Sequence, residues 1–209
     1  MKLLVLGATG GVGQQIVAQA LEAGHEVTAF VRSPDKMLAK HDRLHVMAGS
    51  VADGGPALVD AVRGHDAVIS ALGRGQSLKS MGFIQRSVPP IVSAMQTAGI
   101  SRLIFTSAIG VGITIRDAPL LSRLVIRFLL SDIYADKIAG EEPIHRSGLD
   151  WTLVQPAQLT DGPLTRVYRA GERLTMRGMP KVSRADVAHF ILSQLDSTAY
   201  QRRVVMLAY

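Results

Sequence analysis

Apolar and polar positions follow two different periods along this chain. Short runs in which most positions are apolar read as strands buried on both faces. They are Lys2 to Leu6, HEVTAFVRS, Leu44 to Ala48, HDAVISALG, RLIFTSA, WTLVQP and RRVVMLA. Between them lie stretches with helical spacing: QQIVAQALEAG closing at Gly24, a helix near Pro56 to Arg63, Gly82 to Ala98, KIAGEEPIHRSG ending at Gly148, and Ala185 to Leu195. This alternation predicts an α/β fold with a doubly wound parallel sheet, in one domain over residues 1–209. Pro89 and Pro90 predict a kink in the long helix, and RVYRAGERLTM predicts a short hairpin in a small C-terminal extension. No repeat, low-complexity tract or linker divides the chain.

The first junction carries the most chemistry. Strand Lys2–Leu6 runs into GATGGVG and then directly into a helix. Glycines at 7, 10 and 13 let the chain turn tightly and approach a pyrophosphate, which the helix N-terminus meets with free N–H groups and a positive dipole end. Strand, glycine turn and helix together give a Rossmann-like dinucleotide signal, with Gly7, Thr9, Gly10, Gly11, Val12 and Gly13 as candidate contacts. At the end of the second strand, where NAD sites place an acid for the ribose, stand Arg32 and Ser33. A guanidinium there suits a 2′-phosphate, so the expected cofactor is NADP(H). Lys36 is a weaker candidate. Ligands of such sheets lie across the carboxyl ends of the strands, which adds Ser50, Val51, Leu72, Gly73, Arg74, Ser107 and Pro156.

Other features narrow the function. The net charge is +6, but the basic residues are scattered and aromatics make up only 5% of the chain, so an anionic cofactor and substrate fit better than nucleic acid. Cysteine is absent, excluding disulfides and thiol catalysis. The six histidines form no metal-ligand pattern, and no metal is assigned. No signal peptide or membrane span is evident, so a cytoplasmic location is expected. Tyrosines occur at 134, 168, 200 and 209, and none has lysine four positions on. The tyrosine–lysine pair of ordinary short-chain dehydrogenases is therefore missing, although Tyr134 and Lys137 share a helical face. Hydride transfer to a conjugated acceptor, which needs no tyrosine base, is the chemistry left most accessible. In APLLSRLVIRFLLSDIY, Leu121, Leu124, Val125 and Phe128 recur at helical spacing, with Arg123 and Arg127 on another face. Such a helix can cover the substrate crevice, pack on a partner subunit or lie on a membrane surface; its position between Ser107 and Lys137 favours the cover.

GATGGVG, VTAFVRSP, DAVISALG, RLIFTSA, SGLDWTLVQP, TDGPLT and VSRADVAHFIL together resemble the atypical short-chain dehydrogenase/reductase group. Within it, they resemble the NAD(P)H-binding proteins related to biliverdin-IXβ reductase, or flavin reductase. The resemblance runs nearly end to end. It implies a reductase acting on a flavin, quinone or similar small conjugated acceptor, with the C-terminal extension on the substrate side. It also implies that Ser107 sits beside the nicotinamide. Lys137 falls where the flavin reductase has its active-site histidine, a departure, although lysine occurs there in the wider group. The segment between Ser107 and Lys137 is longer than in the flavin reductase. A non-catalytic NADP(H)-sensing protein and, less well supported, a sugar-nucleotide epimerase or dehydratase are the alternative readings.

Overall fold

The computed structural model describes residues 1–73, 81–176 and 178–209. Its main sheet begins with β1 (Lys2–Leu6), β2 (Glu26–Val31), β3 (Leu44–Ala48), β4 (Ala67–Ser70), β5 (Arg102–Thr106) and β6 (Asp150–Pro156). Further along the chain come β7 (Gln158–Thr160), β8 (Arg169–Gly171), β9 (Lys181–Ser183) and β10 (Arg203–Ala208). The eight-stranded sheet has the order β3-β2-β1-β4-β5-β6-β10-β8. Every neighbouring pair is parallel except β10 with β8. This is a doubly wound Rossmann-like sheet, and its strand order reverses between β1 and β4.

Helices cover both faces because the central strands are apolar on both, whereas the edge strand β3, expected to be buried on both faces, buries no residue completely. In β1, Leu3 and Val5 enter the core beneath α1 (Gly11–Glu22) and α6 (Arg184–Ser193). Leu4 and Leu6 enter the opposite core, with α2 (Pro56–Val62), α3 (Phe83–Ala98) and Ile144 of α5 (Ser131–Arg146). Helix α4 (Leu120–Leu129) buries no residue completely. Gly24, at φ +87°, ends α1 where the apolar period stops. Helix α3 continues through Pro89 and Pro90. Proline there deprives the Gln85 and Arg86 carbonyls of their helical donors, but both residues are exposed, so water can serve those carbonyls.

Two expectations need correction. RVYRAGERLTM forms no hairpin: β8 pairs antiparallel with the free edge of β10, matching Met206 to Gly171 and Ala208 to Arg169. The long-range partner wins because β10 offers an open row of backbone donors and acceptors. The helix read as starting at Lys137 begins at Ser131, so Tyr134, Lys137 and Glu141 share α5. The extension also holds a small parallel pair, β7 with β9, that no strand-length apolar run announced.

Asp186 organises this extension. It is fully buried and accepts from the backbone N–H groups of Thr165 and Arg166, at 2.9 and 2.7 Å. The hydroxyls of Thr165, Ser183 and Tyr209 also donate to it, at 2.8, 3.0 and 2.7 Å. Ser183 in turn caps α6 by accepting from the Asp186 N–H. One carboxylate thus ties TDGPLT, VSRAD and the last residue together.

Candidate functional site

At the switch point between β1 and β4 lies a crevice of about 290 Å³. Its lining includes Gly7, Thr9 and Gly10 after β1, Arg32 and Lys36 after β2, Ser50 and Val51 after β3, and Leu72 and Gly73 after β4. Phe30 and Phe83 complete the walls. The glycine turn is shaped by close packing. Gly7 has φ +77°, and a Cβ on it would stand 2.6 Å from the Ala71 carbonyl oxygen. A Cβ on Gly13 would run into the Gly7 carbonyl oxygen. Only these two glycines let α1 start hard against the turn. Gly10, by contrast, has open space on its Cβ side apart from that same oxygen at 3.4 Å. The first turn of α1 carries no acid, so its free N–H groups face the turn with their positive end uncompensated. These features suit a phosphate-bearing dinucleotide.

Arg32 is exposed and its guanidinium carbon lies 5.7 Å from the centroid of the Phe83 ring. The ring steadies the cation at the crevice wall without consuming its N–H donors. Four expected contacts stand back from the crevice. Gly11 packs its α-carbon against the Arg184 side chain. Val12 and Gly13 are buried in the core and turn packing. Ser33 stands ahead of the short helical turn Pro34–Lys36, where its carbonyl accepts from the Lys36 N–H and its side chain makes no cap bond. Arg74 lies outside the described residues. Phe30 and Phe83 were missed by sequence reasoning, because one reads as a strand core residue and the other as a helix start; neither carries a motif.

Beyond β5 a second cavity of about 300 Å³ opens, lined mostly by apolar residues. Ala108, Ile109, Pro156 and Ala157 form its floor, with Val125 and Ile126 of α4 and Tyr134 of α5 over it. Pro156 therefore belongs to this cavity, and α4 does cover a crevice. Ser107 stands at the strand end between the two hollows, almost fully buried, with its N–H donating to the Val154 carbonyl at 2.7 Å. Its Oγ has no hydrogen-bond partner within ordinary distance.

Behind Ser107 lies a buried polar cluster. Gln155 donates to Glu141 at 3.2 Å, and Thr114 donates to the Gln155 carbonyl oxygen at 2.5 Å. Burial pushes the Glu141 carboxyl above the usual range, against the opposing pull of Ser107, Gln155, His145 and Lys137. The Ser107 hydroxyl lies toward Glu141 and favours its charged form. Burial likewise lowers the Lys137 ammonium, while Glu141 and Asp136 hold it up. Asp136 is committed elsewhere: it accepts from the Ile84 and Gln85 N–H groups at 3.0 and 2.9 Å, capping α3. Tyr134 donates its hydroxyl to the Ile109 carbonyl at 2.9 Å, and burial pushes its pKa up to about 12. It is bound and hard to ionise, unlike a catalytic tyrosine base.

Comparison with known proteins agrees with this geometry. A family model described as NAD(P)H-binding matches residues 7–198. The uncharacterised sugar epimerase YhfK of Bacillus subtilis is 27% identical over 208 residues, covering 97% of this chain and 92% of that protein. Among solved structures, ChuY, an anaerobillin reductase from Escherichia coli O157:H7, has a TM-score of 0.81 and 24% identity, covering 99% of this chain and 96% of its own. A short-chain dehydrogenase/reductase from Veillonella parvula, solved in complex with NADP, has a TM-score of 0.81 at 22% identity, covering 100% and 94%. These two likenesses establish the fold.

Proposed function

Because the chain belongs to the NAD(P)H-binding family, whose model spans residues 7–198, we propose that it is an NADPH-dependent reductase of a flavin, a quinone or a similar conjugated acceptor. The observation that carries this reading is the juxtaposition of two hollows on neighbouring strand ends. One is acid-free, with Arg32 and Lys36 on its wall, and the other is apolar.

In this reading the α1 N-terminus and the Gly7–Gly10 turn hold the pyrophosphate, Arg32 and Lys36 receive the 2′-phosphate, and Ser50 and Val51 flank the adenine. The chemistry supplied by bound NADPH is donation of a hydride, two electrons with one hydrogen, to the acceptor. The protein positions the acceptor in the apolar cavity, and α4 excludes water from it. Ser107 offers its hydroxyl, otherwise turned toward Glu141, to the acceptor or the carboxamide. Lys137 steadies negative charge developing on the acceptor, and solvent supplies the one proton that completes the two-electron reduction. Conjugated acceptors spread the incoming charge, which is why no tyrosine base is needed. An epimerase or dehydratase reading, suggested by the YhfK name, requires a base that Tyr134 cannot be while it donates to Ile109. The reading also places the protein in the cytoplasm.

The deciding assay follows loss of nicotinamide absorbance with NADPH and FMN, riboflavin, a short-chain quinone or biliverdin. Turnover with at least one of them is expected. NADPH binding with no turnover on any would mark a regulatory NADPH sensor instead.

A further inference from the structure

Helix α4 is apolar on two sides. Val125 and Ile126 face the cavity beneath it, whereas Leu120, Leu121, Leu124 and Phe128 are 72%, 56%, 45% and 71% exposed. At 3.6 residues per turn those four side chains fall within one sector of about 100°. Together they form an apolar patch on the order of several hundred Å², at the upper end of what a lone soluble domain displays.

The charges within this helix have one sign. Residues 118–131 contain Arg123 and Arg127 and no acid, and Arg116 is exposed just upstream. The Arg127 guanidinium lies 5.7 Å from the Phe128 ring centroid, holding cation and apolar ring together at the surface. Arg123 bonds back to the Ala118 and Arg116 carbonyls, fixing the start of α4 while keeping its charge outside. Of the flanking acids, Asp117 is engaged by Arg173 at 2.8 Å and Asp132 lies in the first turn of α5. Two copies packed α4 to α4 would bring Arg123 and Arg127 of each together, and α4 itself carries no carboxylate to offset them. The patch is also smaller than the ~800 Å² per partner of a standard interface.

An anionic lipid surface answers both features, with headgroups meeting the arginines and the acyl boundary meeting the leucines and Phe128. We propose that α4 docks the protein on such a surface, lying in the plane of the interface. Met179, 46% exposed, lines the apolar cavity next to α4, so docking sets that cavity beside a source of lipophilic acceptor. Docking does not depend on the reductase reading, because its readout is vesicle binding and not turnover.

The test is flotation of the full chain with vesicles of phosphatidylcholine alone or mixed with phosphatidylglycerol. Recovery with the mixed vesicles is expected to exceed that with neutral ones several-fold and to fall with salt. Leu121→Glu with Phe128→Glu abolishes it, and Arg127→Glu alone reduces it, both with an unchanged melting temperature. No flotation, or equal flotation of the variants, overturns the proposal. So does a dimer in sedimentation equilibrium that the double variant dissolves, which would assign the patch to a second copy.

Discussion

In the proposed function Arg32 is the residue on which cofactor choice turns, and its place was readable because strand β2 ends where its apolar run ends. Its exposure means that it is positioned by the Phe83 ring and not by a buried pair, and that partner was invisible in the sequence, fifty-one positions away. Arg32→Ala is expected to weaken NADPH about 10- to 100-fold, the worth of one or two charge-assisted hydrogen bonds. NADH affinity should be nearly unchanged, and calorimetry with both cofactors reads the ratio. An equal loss for both would remove Arg32 from the 2′-phosphate site. Asp186 shows the opposite case, a residue whose motif was legible but whose work was not. Burial raises its carboxyl, but donation from Tyr209, Thr165, Arg166 and Ser183 outweighs this and leaves it below the ordinary value of 3.8. A carboxyl lowered by folding stabilises the protein fully above its unfolded pKa and loses that contribution as pH falls through the lower, folded one. Asp186→Asn should therefore cost a constant amount of stability above about pH 4, on the order of 2–4 kcal/mol. The gap to the parent should narrow in more acid solution. Urea unfolding across pH 2–7 measures both limbs, and a gap that widens in acid would contradict the assignment.

Among elements, those with strong periodicity matched: strands β1 to β6 and β10, and helices α1, α2, α3 and α6, stand within a few positions of where the pattern placed them. The departures among the short strands involve partners distant in sequence, whereas α5 simply begins six residues ahead of Lys137, at Ser131. Strand β8 is three residues long and exists because β10 presents an open edge; no local pattern can announce that. Of the glycine turn, the spacing was legible, but the division of labour within it was not. Gly13 carries no ligand-facing surface and serves α1 instead, since a Cβ there meets the Gly7 carbonyl oxygen. Gly13→Ala must push α1 away from the turn or break the turn itself. It is expected to destabilise the fold by about 1–3 kcal/mol through overpacking and to weaken NADPH and NADH alike. Gly10→Ala should preserve the melting temperature of the free protein, because its Cβ side is open, and still obstruct the cofactor. Thermal melts of the two free variants, followed by cofactor titration, separate these roles. Equal melting temperatures would show that the turn is not close-packed at Gly13.

Across the whole molecule, the glycine turn, Arg32 and the strand ends come from segments distant in sequence that parallel strand pairing brings to one carboxyl edge of the sheet. The cofactor joins them, so its binding energy reports on the integrity of the edge as a whole. Free NADPH at a hundred times its dissociation constant stabilises the folded state by about 2.7 kcal/mol. In a domain of this size that corresponds to a rise of roughly 5–11 °C in melting temperature. NADH at the same concentration should give a smaller rise if Arg32 and Lys36 on the crevice wall receive the 2′-phosphate as proposed, because NADH lacks that phosphate. The two responses should also differ in salt. The chain carries a net charge of +6, and NADPH bears more negative charge than NADH, so screening weakens its attraction to the protein more. Raising ionic strength should therefore shrink the NADPH shift faster than the NADH shift and draw the two together. Parallel loss of both would place the discrimination in shape and not in charge, and would require another residue than Arg32 to choose the dinucleotide.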